Sequence, residues 1–253
     1  MSGQPTRAGL PPDAPQTARP ARSARLPAEW RAFAAFLRAP ALPDRADVSL
    51  KGSARALPPL FALDMILMAA VLGGIGLASA AGFELPAHML NAMELSPLLI
   101  GFIVVGAPIA EEAIFRGWLS GRPGHVLAVV AVLAGSVALI AGEGMTIKIG
   151  GLAAGLVLAV VALFTLRKRE AWGWFQRRFG WLFYASALLF AAVHLTNFGA
   201  GGASGAMLPL VLPQFLLALI LGYLRVTRGL MTAAALHMLH NAVFAGFIVA
   251  GSS

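Results

Sequence analysis

Long, uninterrupted blocks of apolar residues constrain this chain more than any other feature of its sequence. The blocks run for about twenty residues each, which is the helix length that ~30 Å of hydrocarbon requires. Of the 253 residues, 58% are apolar and only 12% are charged, whereas a soluble domain carries roughly 25% charged residues. The sequence therefore excludes an ordinary water-soluble protein and predicts an all-α, polytopic transmembrane helical bundle.

Seven membrane spans are predicted within a transmembrane domain over 56–253. They are Leu57 to Phe83, Ser96 to Leu119, Gly124 to Ala141, Met145 to Leu166, Trp181 to Leu195, Met207 to Leu224 and Gly229 to Ala250. Several spans contain closely spaced glycines. Small residues at such spacing favour close helix contact, which is expected at Gly73, Gly74, Gly76, Gly151 and Gly155. A flexible outer loop is expected at Gly199, Gly201, Gly202 and Gly205.

The segment 1–55 differs from the rest in composition. Its first part, to about Pro27, is rich in Pro, Ala and Arg and contains no apolar run, so it predicts a disordered basic tail rather than a cleavable signal peptide. Between Ala28 and Leu37, the side chains of Trp30, Phe33 and Phe36 recur at helical spacing. This pattern predicts a short amphipathic helix lying at the membrane surface.

The net charge of +8 indicates orientation and not a nucleic-acid partner. With the N-terminus in the cytoplasm, alternating spans place every basic loop on the inner side, as the positive-inside rule requires. The residues of these loops are Arg122, Arg167, Lys168, Arg169, Arg177, Arg178, Arg225 and Arg228. The outer loops carry only Glu84, Glu94, Glu143, Lys148 and His88. The prediction is a multi-pass protein of a bacterial cytoplasmic membrane, with its C-terminus outside and the lipid bilayer as its surroundings.

The chain contains no cysteine, which excludes disulfides, thiolate metal sites and a cysteine nucleophile. Any chemistry must come from carboxylates, imidazoles, amides or hydroxyls. Ionisable groups inside the spans are costly unless they are paired or face a polar cavity, so clusters of them are candidate functional sites.

Three polar clusters fall inside predicted spans. Glu112 and Arg116 stand four residues apart and can pair on one helix face, which leaves Glu111 without a partner in its own helix and free to act as a general base. His194 follows Phe190 by four residues, and Asn241 follows His237 by four, so each pair shares a face.

Two further ionisable residues lie outside these clusters. Asp64 either lines a cavity or bonds to a neighbouring helix, and His240 is expected to have a structural role.

These three clusters resemble the signatures of the CPBP intramembrane proteases, a family named for CAAX processing and bacteriocin processing. The E-E-x-x-x-R signature is Glu111, Glu112 and Arg116; the F-x-x-x-H signature is Phe190 and His194; the H-x-x-x-N signature is His237 and Asn241. The resemblance covers roughly Ser96 to Val249. It implies an intramembrane endopeptidase that acts on a membrane-associated peptide or protein.

The resemblance leaves two mechanisms open. In one, Glu111 and His194 deprotonate a water, His237 and Asn241 donate hydrogen bonds to the oxyanion, and Glu112 with Arg116 supports the site. In the other, Glu111, His194 and His237 bind a divalent metal, Zn²⁺, that activates the water.

One departure from the family pattern lies between the first two signatures. About fifty residues and two spans intervene, and 124–166 is interpreted as an inserted helical hairpin. The predicted span ends also place His194 nearer the outer side of the membrane than Glu111 and His237, so the fifth helix must begin near Trp172 or be tilted or sunk.

Two other functional classes use buried Glu, His and Arg residues. A proton-coupled transporter would be favoured by an internal repeat of spans, and no such repeat is evident in the sequence. A noncatalytic membrane scaffold or immunity protein is the third alternative.

Overall fold

The computed structural model describes residues 27–84, 86, 89, 93–198 and 205–251. Within these ranges the chain is helical, without β-strands. The α-helices are α1 Ala28–Arg38, α2 Leu50–Ala80, α3 Pro97–Gly101, α4 Ala107–Phe115, α5 Pro123–Ala141, α6 Met145–Thr165, α7 Gly173–Arg177, α8 Phe179–Val193, α9 Leu212–Thr227 and α10 Leu230–Gly251. A π-helix, Phe102–Gly106, joins α3 to α4, and 3₁₀ turns occupy Gly117–Ser120, His194–Asn197 and Gly205–Val211.

Seven helical stretches of the described residues are long and apolar enough to cross a membrane, which confirms the predicted all-α polytopic bundle. They are Leu50–Ala80, Pro97–Phe115, Pro123–Ala141, Met145–Thr165, Phe179–Asn197, Met207–Thr227 and Leu230–Gly251. Helix α2 begins seven residues before the first predicted span. The Ser49 hydroxyl accepts a hydrogen bond from the Gly52 N–H at 3.0 Å and so caps the helix at this point. The predicted disordered tail over 1–26, His88 and the loop glycines Gly199, Gly201 and Gly202 lie outside the described residues.

Helix α9 lies at the centre of the bundle, where it packs against α8, α10 and α2. Helix α10 in turn packs against α4 and α2. Most side chains of α9 are buried, and they form the main apolar core together with Phe179, Phe183 and Phe190 of α8 and Leu236 of α10. This arrangement brings α4, α8 and α10, the three helices that carry the family signatures, into one group.

Helix α1 is present where the periodicity predicts it, but its apolar face contacts protein. Phe33 is only 6% exposed, and the Phe36 ring lies edge-on to Phe183 at 5.1 Å and to Tyr223 at 5.2 Å. The Trp30 indole N–H donates to the Pro59 carbonyl of α2. These contacts use the amphipathic face that the sequence analysis assigned to the membrane surface, and a surface location for this helix stays a prediction.

An ionic contact fixes α1 to the turn between α9 and α10. The Arg228 guanidinium lies 3.0 Å from Glu29 Oε1 and 3.1 Å from Asp47 Oδ2. Gly229 follows with φ +97°, and a Cβ there would lie 2.9 Å from Val48 Cγ1. A glycine is therefore required at this turn both by its backbone conformation and by the close approach of the segment before α2.

Helices α5 and α6 form a hairpin that packs mainly on itself. Its principal contacts with the rest of the protein run through α5, to the turn Gly117–Ser120 and to α4. A Cβ at Gly155 would lie 2.5 Å from the Ala131 carbonyl oxygen, and one at Gly151 would lie 2.4 Å from Ala138 Cβ. The predicted glycine contact is confirmed in α6, and the interpretation of 124–166 as an insertion stays a prediction.

The equivalent prediction for α2 is wrong. No described atom lies within 4 Å of a Cβ built on Gly73, Gly74 or Gly76. Among the described residues, this half of α2 therefore has no close helix neighbour at these three glycines.

We expect Gly155→Ala to destabilise the hairpin, because the new methyl group meets backbone and α6 must move away from α5. The cost should be about 1–3 kcal/mol, measured as the free energy of unfolding in detergent. Gly150→Ala is the matched control, since it lies in the same helix with open space at its Cβ. Equal stability of the two variants would contradict close glycine packing in this hairpin.

Candidate active site

The two adjacent glutamates of α4 point to different environments. Successive residues of a helix lie about 100° apart, so one carboxylate can face the core while its neighbour does not. Glu112 is 1% exposed, whereas the Glu111 side chain is 29% exposed. The chain thus places one glutamate inside the bundle and the other at an accessible edge.

Glu112 and Arg116 form the predicted ion pair. Arg116 Nη1 lies 2.9 Å from Glu112 Oε1, and both side chains are 1% exposed. The Arg116 guanidinium carbon also lies 3.8 Å from the centroid of the Phe190 ring, within range of a cation–π interaction. Arg116 is therefore fixed from two sides, by a carboxylate of its own helix and by an aromatic face of α8.

His237 of α10 joins both glutamates. Its Nδ1 lies 3.0 Å from Glu112 Oε1, and its Nε2 lies 3.7 Å from Glu111 Oε2. A carboxylate oxygen only accepts hydrogen bonds, so the Nδ1–H donates to Glu112 and Nε2 is the ring atom that faces Glu111. The structure therefore unites the first and third signatures in one polar chain, Arg116–Glu112–His237–Glu111.

Phe190 separates this chain from His194. Its ring centroid lies 4.5 Å from that of His194 and 5.9 Å from that of His237. His194 Nδ1 donates to the Phe190 carbonyl oxygen at 2.7 Å, which leaves Nε2 with its lone pair. His194 is half-buried. Within the described residues, no hydrogen bond or ion pair joins it to Glu111 or His237.

The position of α8 along its axis determines the depth of His194 relative to Glu111. Ser186 Oγ donates to the Phe115 carbonyl at 2.7 Å, so the middle of α8 is level with the end of α4. Further into the bundle, His194 lies about 12 Å along the axis from Ser186, and Glu111 lies about 6 Å along the axis from Phe115. His194 thus lies about 6 Å beyond Glu111 along the helix axes, and the first turns of α8 extend past the end of α4, where they pack against Phe36 of α1.

A π-helix places Asn241 in the site. Pro108 lacks an N–H, and the Ala107 N–H bonds to the Phe102 carbonyl, so the Ile103 carbonyl has no partner in its own helix. Asn241 Nδ2 donates to that carbonyl at 2.8 Å. The second hydrogen of the Asn241 amide is left for another acceptor. A donor role for Asn241 toward an oxyanion stays a prediction.

Arg225 is a residue that the sequence analysis placed in a loop and did not connect with the site. It lies in the last turn of α9, where Nε donates to the Arg116 carbonyl at 2.9 Å and Nη2 to the Gly117 carbonyl at 3.0 Å. A cation at the carboxyl end of a helix satisfies carbonyls that have no helical partner. No spacing rule connects Arg225 with Arg116, because the contact joins helices about a hundred residues apart.

Asp64 bonds to a neighbouring helix, the second of its two predicted alternatives. Its Oδ2 lies 2.7 Å from His240 Nδ1, and Asp64 is completely buried. The contact joins α2 to α10 one turn beyond His237.

The described side chains do not form a three-ligand metal site. Within these residues there is no group of three or more His, Asp or Glu side chains spaced to hold a metal ion. Glu111 and His237 are neighbours, but the third predicted ligand, His194, is joined to neither. The arrangement therefore does not fit the predicted Zn²⁺ set, and zinc dependence stays a prediction.

Comparison with known proteins gives one match. A family model described as Type II CAAX prenyl endopeptidase Rce1-like matches residues 93–243, more than half of the chain. That range includes all seven signature residues and excludes α1 and α2. No curated protein and no solved structure matches the chain.

We expect Asn241→Leu to cost about 1–3 kcal/mol of unfolding free energy, because it leaves the partly buried Ile103 carbonyl without a donor. Adding Pro108→Ala should recover part of that loss, since the alanine supplies the missing N–H to this region of the helix. Denaturant unfolding of the single and double variants measures both effects, with Pro108→Ala alone as the control. A double variant no more stable than Asn241→Leu would contradict this account of the π-helix.

Proposed function

The chain belongs to the Type II CAAX prenyl endopeptidase Rce1-like family, whose members are intramembrane proteases, and we propose that it hydrolyses a peptide bond of a membrane-associated protein or peptide with a water activated by Glu111 and His194. The observation that carries this proposal is the buried polar chain that ends at Glu111. Arg116, Glu112 and His237 are each no more than 2% exposed, whereas the Glu111 side chain is 29% exposed. Glu111 is thus the member of the chain that a water and a substrate can reach.

The hydrolytic step begins with the water. Glu111 takes its proton while the lone pair of His194 Nε2 orients it, and the water oxygen forms a bond to the scissile carbonyl carbon. The carbonyl oxygen becomes an oxyanion. When the tetrahedral intermediate collapses, the C–N bond breaks and the amine leaves with the proton that Glu111 carried.

The oxyanion requires hydrogen-bond donors. We assign this role to the free hydrogen of the Asn241 amide and to His237 Nε2–H, as the family resemblance implies. Because His237 Nδ1–H already donates to Glu112, the Nε2 donor requires the ring to carry protons on both nitrogens. In a site that excludes water, removing one such donor costs about 3 kcal/mol of transition-state stabilisation. The ion pair of Glu112 with Arg116 supports this arrangement, because Glu112 holds the Nδ1 side of His237 and directs Nε2 toward Glu111.

The surroundings of the site suit a substrate held in the bilayer. Glu111 lies in the last turns of α4, which the charge pattern places in the cytoplasmic half of the membrane. We propose that the N-terminus is cytoplasmic and the C-terminus external, and that the substrate enters from the inner leaflet of a bacterial cytoplasmic membrane. The transporter alternative has no support from an internal repeat, and catalytic variants test the scaffold alternative.

We expect Glu111→Gln and His194→Ala each to lower the rate of peptide cleavage by about 10²–10⁴-fold, the usual contribution of a positioned acid or base. The assay is cleavage of a membrane-anchored peptide reporter in proteoliposomes. Thermal unfolding should stay near wild type, because neither residue is fully buried. Glu143→Gln, which changes an exposed glutamate of the α5–α6 loop, is the matched control. Wild-type cleavage by the Glu111 variant would sink the proposed mechanism.

The role of zinc is tested separately. The water-activation mechanism predicts that chelator-treated, metal-depleted protein keeps its cleavage rate. Elemental analysis of the same sample establishes whether stoichiometric metal is present during the assay. Loss of activity on chelation and its return with Zn²⁺ would establish the metal mechanism instead.

A further inference from the structure

Three polar side chains of α10 are each held by a different part of the protein. His237 contacts the glutamates of α4, Asn241 contacts the π-helix, and His240 contacts Asp64 of α2. The first two belong to the family signatures. Asp64 lies outside the residues that the family model matches, so the third contact is a feature of this chain that the proposed mechanism does not use.

The Asp64–His240 contact is deeply buried and directional. His240 Nδ1 donates to Asp64 Oδ2 at 2.7 Å, Asp64 is 0% exposed and the His240 side chain is 13% exposed. The other carboxylate oxygen, Asp64 Oδ1, has no hydrogen-bond partner among the described residues. A buried carboxylate that is only half satisfied is a costly way to join two helices, and apolar side chains of similar volume would pack there at lower cost.

The Asp64–His240 contact can fix the rotation of α10 about its own axis, which apolar packing in a bilayer does only weakly. Between helices in a bilayer the lipid is as apolar as the side chains, so directional polar contacts have a large influence on how a helix is turned. From His237, Asn241 lies about 40° around α10 on one side and His240 about 60° on the other. A rotation that breaks the contact of His240 with Asp64 therefore also moves His237 and Asn241 relative to α4.

We propose that Asp64 and His240 are a positioning pair that sets the rotation of α10, so that His237 and Asn241 face α4. This inference rests on the proposed function for its catalytic consequence, but not for its geometric one. The pair acts through His237 and Asn241 and does not touch the reacting atoms.

The chain offers a matched control for this pair. Ser53 Oγ and Thr232 Oγ1 lie 2.8 Å apart and also join α2 to α10, two turns nearer the start of α10. Ser53→Ala/Thr232→Val removes a polar contact between the same two helices without touching Asp64. Asp64→Asn is the conservative variant, since its amide oxygen can still accept from His240 Nδ1–H.

The first experiment measures the rotation of α10 without any substrate. Because the chain has no cysteine, Val104→Cys and Ala245→Cys can be introduced as the only thiols; both residues line the crevice between the π-helix and α10. A short linker with a thiol-alkylating group at each end then reports whether positions 104 and 245 still lie close together. We expect Asp64→Leu/His240→Leu to reduce cross-linking severalfold, while Asp64→Asn and the Ser53/Thr232 control cross-link like the parent.

The second experiment measures cleavage by the same variants without the two introduced cysteines. The cleavage rate is normalised to the folded fraction of each preparation. Asp64→Leu/His240→Leu should lower kcat roughly tenfold or more with little change in KM, because the catalytic groups are displaced. Its unfolding temperature should match or exceed that of the wild type, because no buried polar atom is left unpaired. Asp64→Asn should keep most of the activity. A merely structural role predicts instead that kcat falls only in variants whose unfolding temperature also falls.

Wild-type cross-linking and wild-type kcat in a folded Asp64→Leu/His240→Leu variant would overturn the proposal. Should that variant not fold, Asp64→Val/His240→Phe is measured in its place, since valine is closer than leucine to aspartate in volume and phenylalanine keeps a flat ring at position 240. Glu111→Gln separates the two hypotheses. If it cleaves at the wild-type rate, the proposed mechanism fails, whereas the cross-linking result still decides whether Asp64 and His240 set the rotation of α10.

Discussion

The carboxylate of Glu112 is the constraint on which the rest of the site depends. A charge buried at 1% exposure in an apolar bundle must be paired, because an uncompensated one costs several kcal/mol. Glu112 Oε1 accepts from both Arg116 and His237, so the pairing draws in a second helix. Arg116 is in turn held by the Phe190 ring of α8 and by the contact of its carbonyl with Arg225 of α9. Satisfying one buried charge thereby fixes four helices around a single point.

The other half of the site follows from a missing hydrogen bond. Pro108 removes an N–H two residues into α4, the preceding turn becomes a π-helix, and the Ile103 carbonyl takes its donor from Asn241 of α10. A glutamate pair and a backbone carbonyl, eight and nine residues apart in the chain, thus anchor the same face of α10. The proposed chemistry and this geometry both require α4 and α10 to be held together.

Much of the fold was predictable because hydrophobic length is a local property. All seven spans, the N-terminal helix and the α5–α6 hairpin were predicted from runs of apolar residues and their period, with errors of a few residues at most ends. The errors have physical causes. Ser49 caps α2 earlier than hydropathy alone indicates, no described atom lies within 4 Å of a Cβ built on Gly73, Gly74 or Gly76, and Phe179 and Phe183 in the first turns of α8 pack against Phe36 of α1.

By itself the sequence determined the membrane class, the helical bundle and the residues of the three signatures, because length, charge and i, i+4 spacing act within one helix. Only the tertiary structure decided which groups meet. Four contacts depend on the rotation and axial position of separate helices. They are those of His237 with both glutamates, of Asn241 with Ile103, of Arg225 with the end of α4 and of His240 with Asp64. Apolar packing leaves these two variables weakly specified in lipid, and polar contacts between distant residues set them.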